Sequence, residues 1–165
     1  MKLKIILITI LSIMVLVFTG CSQTDVDTNP EEVENIGEWS ITIEVVGEDP
    51  IEFTNEDAQE IGAAEIVAAQ KDGENMLEAD TWKGVLLCDV LDYIGVEEYS
   101  VISVEAADGY SKEMEPDKID DQATGFGWMV NGVMLDEECG PIQLINNGRG
   151  PKWWIKQVSK VTVIK

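Results

Sequence analysis

Gly127–Lys156 reads GWMVNGVMLDEECGPIQLINNGRGPKWWIK. Asn131-Gly132 sits between two apolar runs, a strong hairpin signal, because a two-residue type I′ turn needs left-handed backbone at both central positions. Phe126–Val130 and Val133–Leu135 are its predicted strands. Gly140-Pro141 then opens an apolar strand over Pro141–Ile145. Gly148-Arg149-Gly150-Pro151-Lys152 is a loop leading into the paired tryptophans Trp153 and Trp154, with one helical turn predicted within Lys152–Gln157.

On the C-terminal side, Val158–Ile164 alternates Val161 and Val163 with Lys160 and Thr162, the period of a half-buried strand that closes the sheet. Toward the N-terminus, Ser40–Val46 alternates Ile41, Ile43 and Val45 with Thr42 and Glu44. Gly47-Glu48-Asp49-Pro50 turns the chain into Ile51–Phe53, so these two segments read as a hairpin. Thr54 or Asn55 caps a helix through Ile61, with Glu56 and Asp57 in its first turn, where the helix dipole favours negative charge. Glu65–Gln70 and Met76–Trp82 are strands about a Lys71–Glu74 turn. A helix over about Leu86–Ile94 places Leu87, Val90, Leu91 and Ile94 on one face and stops at Gly95. Ser100–Ala106 is a strand, Asp108-Gly109-Tyr110 its turn and Tyr110–Met114 the extended return. Pro116 to about Asp121 is a short helix or loop. Many short strands with two or three short helices predict an α+β fold, a compact mixed, mainly antiparallel sheet domain.

Composition bounds location and partners. Met1-Lys-Leu-Lys precedes an apolar run from Ile5 to Phe18, and Thr19-Gly20-Cys21 ends it. This pattern predicts a secretory leader over residues 1–20, since a spanning helix takes about 20 apolar residues. The small residues before Cys21 resemble a bacterial lipobox. That resemblance implies lipidation at Cys21, a membrane anchor and an extracytoplasmic domain. Residues 21–38 are polar and acidic and read as a flexible tether; residues 39–165 form the predicted domain.

The chain carries 32 acidic and 11 basic side chains, a formal net charge of −21, which excludes a nucleic-acid partner. The charge is uneven: residues 21–138 hold 32 acidic and 4 basic side chains, residues 139–165 hold 5 basic and none acidic. Either this tail balances the acidic body, or it is a site for an anionic group. Histidine is absent, which removes Ser-His-Asp and Cys-His nucleophiles and His-ligated zinc. Cys88 and Cys139 are the two remaining thiols, which an oxidising compartment could join as a disulfide or leave free. Asp117, Asp120 and Asp121 lack the spacing of a calcium loop and read as a solvated acidic surface. Trp128, Trp153 and Trp154 either pack in the core or line a pocket for a flat ring.

The order of motifs is more specific than any one of them. Trp82-Lys83-Gly84-Val85-Leu86-Leu87 precedes a helix and Asp108-Gly109-Tyr110 ends a strand. Asn131-Gly132-Val133-Met134-Leu135, Gly140-Pro141-Ile142-Gln143-Leu144 and Lys152-Trp153-Trp154-Ile155-Lys156 follow. Over about residues 39–165 this order resembles the molybdopterin-binding domain of the sulfite oxidase family.

The resemblance implies the compact molybdopterin-binding fold. Its pterin phosphate is held by backbone amides and basic side chains, and its molybdenum by the pterin dithiolene and one cysteine. It implies that Arg149, Lys152 and Lys156, with Tyr110 of the Asp-Gly-Tyr motif, are the candidate cofactor-binding residues. It also implies a metal-ligating cysteine ahead of the Trp-x-Gly motif, and Ala63–Thr81 contains none. The expected function is therefore a membrane-tethered module that binds an anionic small molecule or an envelope protein. The alternatives are a molybdopterin-dependent oxidoreductase with an atypical metal ligand, such as Cys88 or Cys139, and a structural lipoprotein whose pocket is closed by Trp153 and Trp154.

Overall fold

The computed structural model describes residues 36–165. The predicted leader, Cys21 and nearly all of the predicted tether lie outside them. In chain order the elements are β1 Ser40–Val45, β2 Ile51–Thr54, α1 Asn55–Ile61, β3 Ala64–Ala68, β4 Lys71–Asp72, β5 Asn75–Met76, β6 Asp80–Leu86 and α2 Leu87–Tyr93. They continue with β7 Val101–Ala106, β8 Ser111–Met114, β9 Thr124–Val130, β10 Val133–Met134, β11 Gln143–Asn146 and β12 Val158–Ile164. Single 3-10 turns lie at Pro116–Lys118 and Pro151–Trp153.

The first sheet has the strand order β2-β1-β12-β7-β8. β1 and β12 are parallel and the other neighbours antiparallel. The second has the order β10-β9-β6-β3, with β11 also on β9, all antiparallel. The mixed, mainly antiparallel α+β expectation is thus met.

Local chemistry accounts for most boundaries. Thr54 Oγ1 accepts from the Asp57 amide at 3.3 Å while Asp57 Oδ2 accepts from the Thr54 amide at 2.7 Å, a capping box that starts α1. Asn131 and Gly132 have φ of 49° and 79°, both left-handed as a type I′ turn requires.

Two predicted strands moved. Met76–Trp82 is not one strand: β4 and β5 make a small hairpin, and β6 begins at Asp80 and absorbs Trp82-Lys83-Gly84-Val85. Burial decides this, because Met76 and Leu77 stay about half exposed whereas Trp82 and Val85 are buried. The strand predicted at Pro141–Ile145 is Gln143–Asn146 instead; Pro141 has no N–H to give to a ladder. The Lys152–Gln157 turn is confined to Pro151–Trp153.

The main core lies between the two sheets and the helices, and includes Ile43, Phe53, Leu87, Val104, Phe126, Trp128 and Leu144. A smaller core of Ile66, Ala68, Trp82, Ala123, Ile145 and Trp154 is separate from it. Neighbours along β9, β11 and β6 divide between the two, as Leu144 and Ile145 do, so the second sheet is buried on both faces. Cys88 and Cys139 are both free thiols, so the disulfide alternative is corrected. Cys88 Sγ instead donates to the Asp121 carbonyl at 3.2 Å.

Candidate functional site

The smaller core sits on a face emptied by glycines. A Cβ at Gly84 would lie 2.2 Å from the Phe126 carbonyl oxygen, and one at Gly125 would lie 2.3 Å from that of Val85. At Gly127 it would meet Ile145 Cδ1 at 2.6 Å and the Trp82 ring at 2.9 Å. The space so made is filled by the chain's own side chains: the Trp82 and Trp154 rings pack at 5.7 Å, tilted by 55°. Their indole Nε1 atoms are buried and make no hydrogen bond within the protein.

The loop that carries Arg149 is pinned across the end of β3. The Ala69 amide donates to Asn147 Oδ1 at 3.0 Å, and the Gly148 amide donates to the Ala69 carbonyl at 2.9 Å. The Lys71 amide donates to the Arg149 carbonyl, also at 2.9 Å. Backbone and side-chain bonds therefore close the seam between residues 69–71 and 147–149.

Three of the four sequence candidates converge beside this seam. Trp153, half-buried against both cores, is the centre. Arg149 Cζ lies 5.6 Å from its ring centroid, and one guanidinium nitrogen donates to the Asp117 carbonyl at 3.2 Å. Tyr110 Oη donates to the Lys152 carbonyl at 3.0 Å, fixing the Pro151–Trp153 turn while the Lys152 side chain stays exposed.

A fourth cation was missed by the sequence reading: Lys112 Nζ stands 4.2 Å from the Trp153 centroid. The signal was present, since Lys112 follows Tyr110 by two positions in the extended return and so shares its face. Cations at an aromatic face are held by the ring quadrupole, leaving their N–H donors open to a ligand.

Lys156, the remaining candidate, turns elsewhere. Its Nζ donates to Glu138 Oε1 at 2.8 Å. Hydrogen bonds to Glu138 first, and then to Cys139, raise its pKa. It borders a cavity of about 260 Å³ with Asp108, Tyr110, Glu138, Trp154 and Gln157, so Tyr110 touches both regions. Two further tail lysines are paired too, Lys160 with Glu44 at 2.7 Å and Lys165 with Glu48 at 2.6 Å. Part of the tail's charge thus balances the acidic body, and part gathers around Trp153. Trp128 and Trp154 are core residues, so a three-tryptophan pocket does not form. Among the described residues no group of three or more His, Cys, Asp or Glu side chains is placed to hold a metal ion.

The fold has a known counterpart. Sulfane dehydrogenase SoxCD from Paracoccus pantotrophus has a solved structure similar to this chain, with a TM-score of 0.62 at 21% identity, covering 76% of this chain and 38% of that one. That likeness is one of fold, and this chain spans little more than a third of the other's length. No curated protein shows significant sequence similarity to the chain. The family described as "Oxidoreductase molybdopterin binding domain" matches residues 28–165, all of the two-sheet domain together with part of the segment before it. The chain belongs to that molybdopterin-binding oxidoreductase domain family.

Proposed function

We propose that this protein is a membrane-tethered, extracytoplasmic binding module of the molybdopterin-domain fold. It takes an anionic group, from a small molecule or an envelope protein, on the face formed by Tyr110, Lys112, Arg149, Lys152 and Trp153, and it lacks its family's metal-ligating cysteine. The carrying observation is the convergence of Lys112 and Arg149 on Trp153 in a chain of net charge −21. Outside this cluster most cations are neutralised by a carboxylate, so an incoming anion meets an attractive field chiefly here. Arg149 can grip a carboxylate or phosphate with two N–H groups, and Lys152 and Lys112 add point charges. The lipobox-like Thr19-Gly20-Cys21 and the apolar run before it support the tether.

The side chains present do not fit a molybdenum held by pterin and a thiolate. Residues 63–81 contain no cysteine, and β3 ends in buried Ala68 and Ala69. The glycine-lined face is filled by Trp82 and Trp154, and the seam to the Arg149 loop is closed by hydrogen bonds. A soft metal prefers a soft ligand, and here no thiol stands on that face.

Titration with inorganic phosphate and with succinate, followed by NMR of the tryptophan indole signals, tests the anion site. Saturable binding that weakens about tenfold or more in Arg149→Ala/Lys152→Ala is the expected outcome. Equal affinity in the double variant would remove the anion-site reading.

One observation favours the oxidoreductase as a second reading: Cys139, partly exposed, adjoins Glu138, whose carboxylate pairs with Lys156 beside the cavity that Tyr110 borders. Molybdenum and pterin analysis of the protein taken from its own host's envelope separates the two. Stoichiometric metal with released pterin would establish the enzyme and direct attention to Cys139; neither is expected under the binding-module reading.

A further inference from the structure

We infer that the cavity between α2 and the Pro116–Asp121 segment is a binding site for a small organic cation with an aliphatic body, a linear diamine or polyamine in chemical class. The cavity measures about 530 Å³, within the range of small-molecule sites. Its floor is apolar: Leu87, Leu91 and Val96 are buried there, with Ile119 and the half-buried ring of Tyr99 beside them. Its rim is exposed Asp92, Glu97, Glu98 and Asp121, and no lysine or arginine is among its lining residues.

Charge complementarity decides the occupant. Each ion pair among the described residues joins a lysine to a carboxylate that is not part of the cavity lining: Lys118 to Asp117, Lys156 to Glu138, Lys160 to Glu44 and Lys165 to Glu48. Among the described residues the four rim carboxylates form no such ion pair, so they repel one another around a concave apolar floor. An ammonium group relieves that repulsion, and a methylene chain covers the floor, which water wets poorly. The Tyr99 ring adds a quadrupole suited to the same charge.

A bare metal ion fits worse. It needs several converging oxygens, and no group of three or more acidic or thiol ligands among the described residues is placed to supply them. Cys88 contributes a neutral wall, since burial, and then the charge of Asp89, push its thiol pKa up. This cavity shares no residue with the Trp153 face. The Pro116–Asp121 segment lies between the two, lining the cavity while its Asp117 carbonyl accepts from Arg149. Each site therefore stands or falls alone.

Calorimetric titration of the full chain, solubilised in non-ionic detergent, with spermidine and with 1,5-diaminopentane at about 0.15 M salt tests the proposal; there exposed charges more than about 8 Å apart are largely screened. One saturable site is expected, and equimolar magnesium chloride does not displace the amine. Glu97→Gln/Glu98→Gln is expected to weaken binding about tenfold, because two ammonium–carboxylate attractions are lost. Glu74→Gln/Glu78→Gln, which removes the same charge near the β4–β5 hairpin, is expected to leave the affinity unchanged. Absence of saturable binding, equal weakening in both double variants, or displacement by magnesium would overturn the assignment. Tighter binding of a lysine-containing peptide than of the free amines would reassign the cavity to a partner protein and overturn it as a small-molecule site.

Discussion

The two sheets of this domain solve burial in opposite ways. In the first, β1 and β7 alternate strictly, one face packed on the main core and the other toward solvent. In the second, β9 runs buried from Thr124 to Trp128 and β11 is buried at every position, because a second core covers its outer face. A one-faced sheet needs only alternating apolar residues. A two-faced sheet also needs room, and here Gly84, Gly125 and Gly127 supply it while Trp82, Ile145 and Trp154 take it up. The lesson is that the glycine-lined face of the second sheet is, in this chain, interior.

Trp154→Ala breaks that filling most directly. It should destabilise the domain by about 3–5 kcal/mol in urea unfolding, the cost of a large buried aromatic plus the cavity it leaves. A loss below about 1 kcal/mol would mean that the second core is loosely packed and open to a ligand.

Gly84→Ala comes next, at about 3 kcal/mol, because its new Cβ meets a backbone oxygen that no rotamer change can move. Thermal unfolding with near-UV circular dichroism checks it. Wild-type stability with an unchanged tryptophan signal would show that β6 and β9 can separate.

At the rim of the first sheet the effects shrink. Thr54→Ala removes the α1 cap and should cost about 1 kcal/mol. It also carries a pH signature. Burial raises the Asp57 pKa, but hydrogen bonds from the Thr54 side chain and amide and from Tyr93 prevail and hold it below the ordinary aspartate value. A depressed native pKa stabilises the fold above the ordinary value, and the benefit is lost as pH falls through the lowered one. The acid limb of the stability curve should therefore flatten in Thr54→Ala. A limb parallel to that of the wild type would assign the acid dependence to other carboxylates.

The same cluster acts at the alkaline end. Tyr93 Oη donates to Asp57 at 2.9 Å and to Glu60 at 3.2 Å, and its pKa is pushed up to about 12. Ultraviolet titration should show one tyrosine ionising late, and Asp57→Asn should bring it forward.

The smallest effect is expected at Lys160–Glu44, a cross-strand pair at 2.7 Å that is about one-third exposed. Lys160→Met should change stability by about 0.5 kcal/mol or less. A larger change would mean that the parallel β1–β12 junction depends on charge.

Legibility followed the same division. In the first sheet, alternation placed β1, β7 and β12 within a residue or so of their observed ends, and the Thr54 or Asn55 cap marked the start of α1. In the second sheet, the Asn131-Gly132 hairpin was visible because its turn chemistry is local. The start of β6 and the shift of β11 were not, since Met76 and Leu77 look as apolar as Trp82 and Val85, and only packing into the two cores distinguishes them. For the candidate site, Tyr110, Arg149 and Lys152 were readable from motif order and charge. Lys112 was readable only by extending the alternation of its strand, and Lys156 was grouped with the others although its partner is Glu138.

The sequence alone determined the family, the α+β class, the hairpin and helix caps, the missing histidine and the uneven charge. All of these are properties of residue identity and short spacing. Tertiary structure decided which face of the second sheet is filled, that Cys88 and Cys139 stay apart as free thiols, and that Lys112 meets Arg149 at Trp153. It also decided that four acidic side chains ring a cavity whose described lining residues include no lysine or arginine. The physical reason is common to all of these: packing and electrostatics depend on distance in space, and residues as far apart as Lys112 and Trp153, or Cys88 and Asp121, become neighbours only when the sheets close.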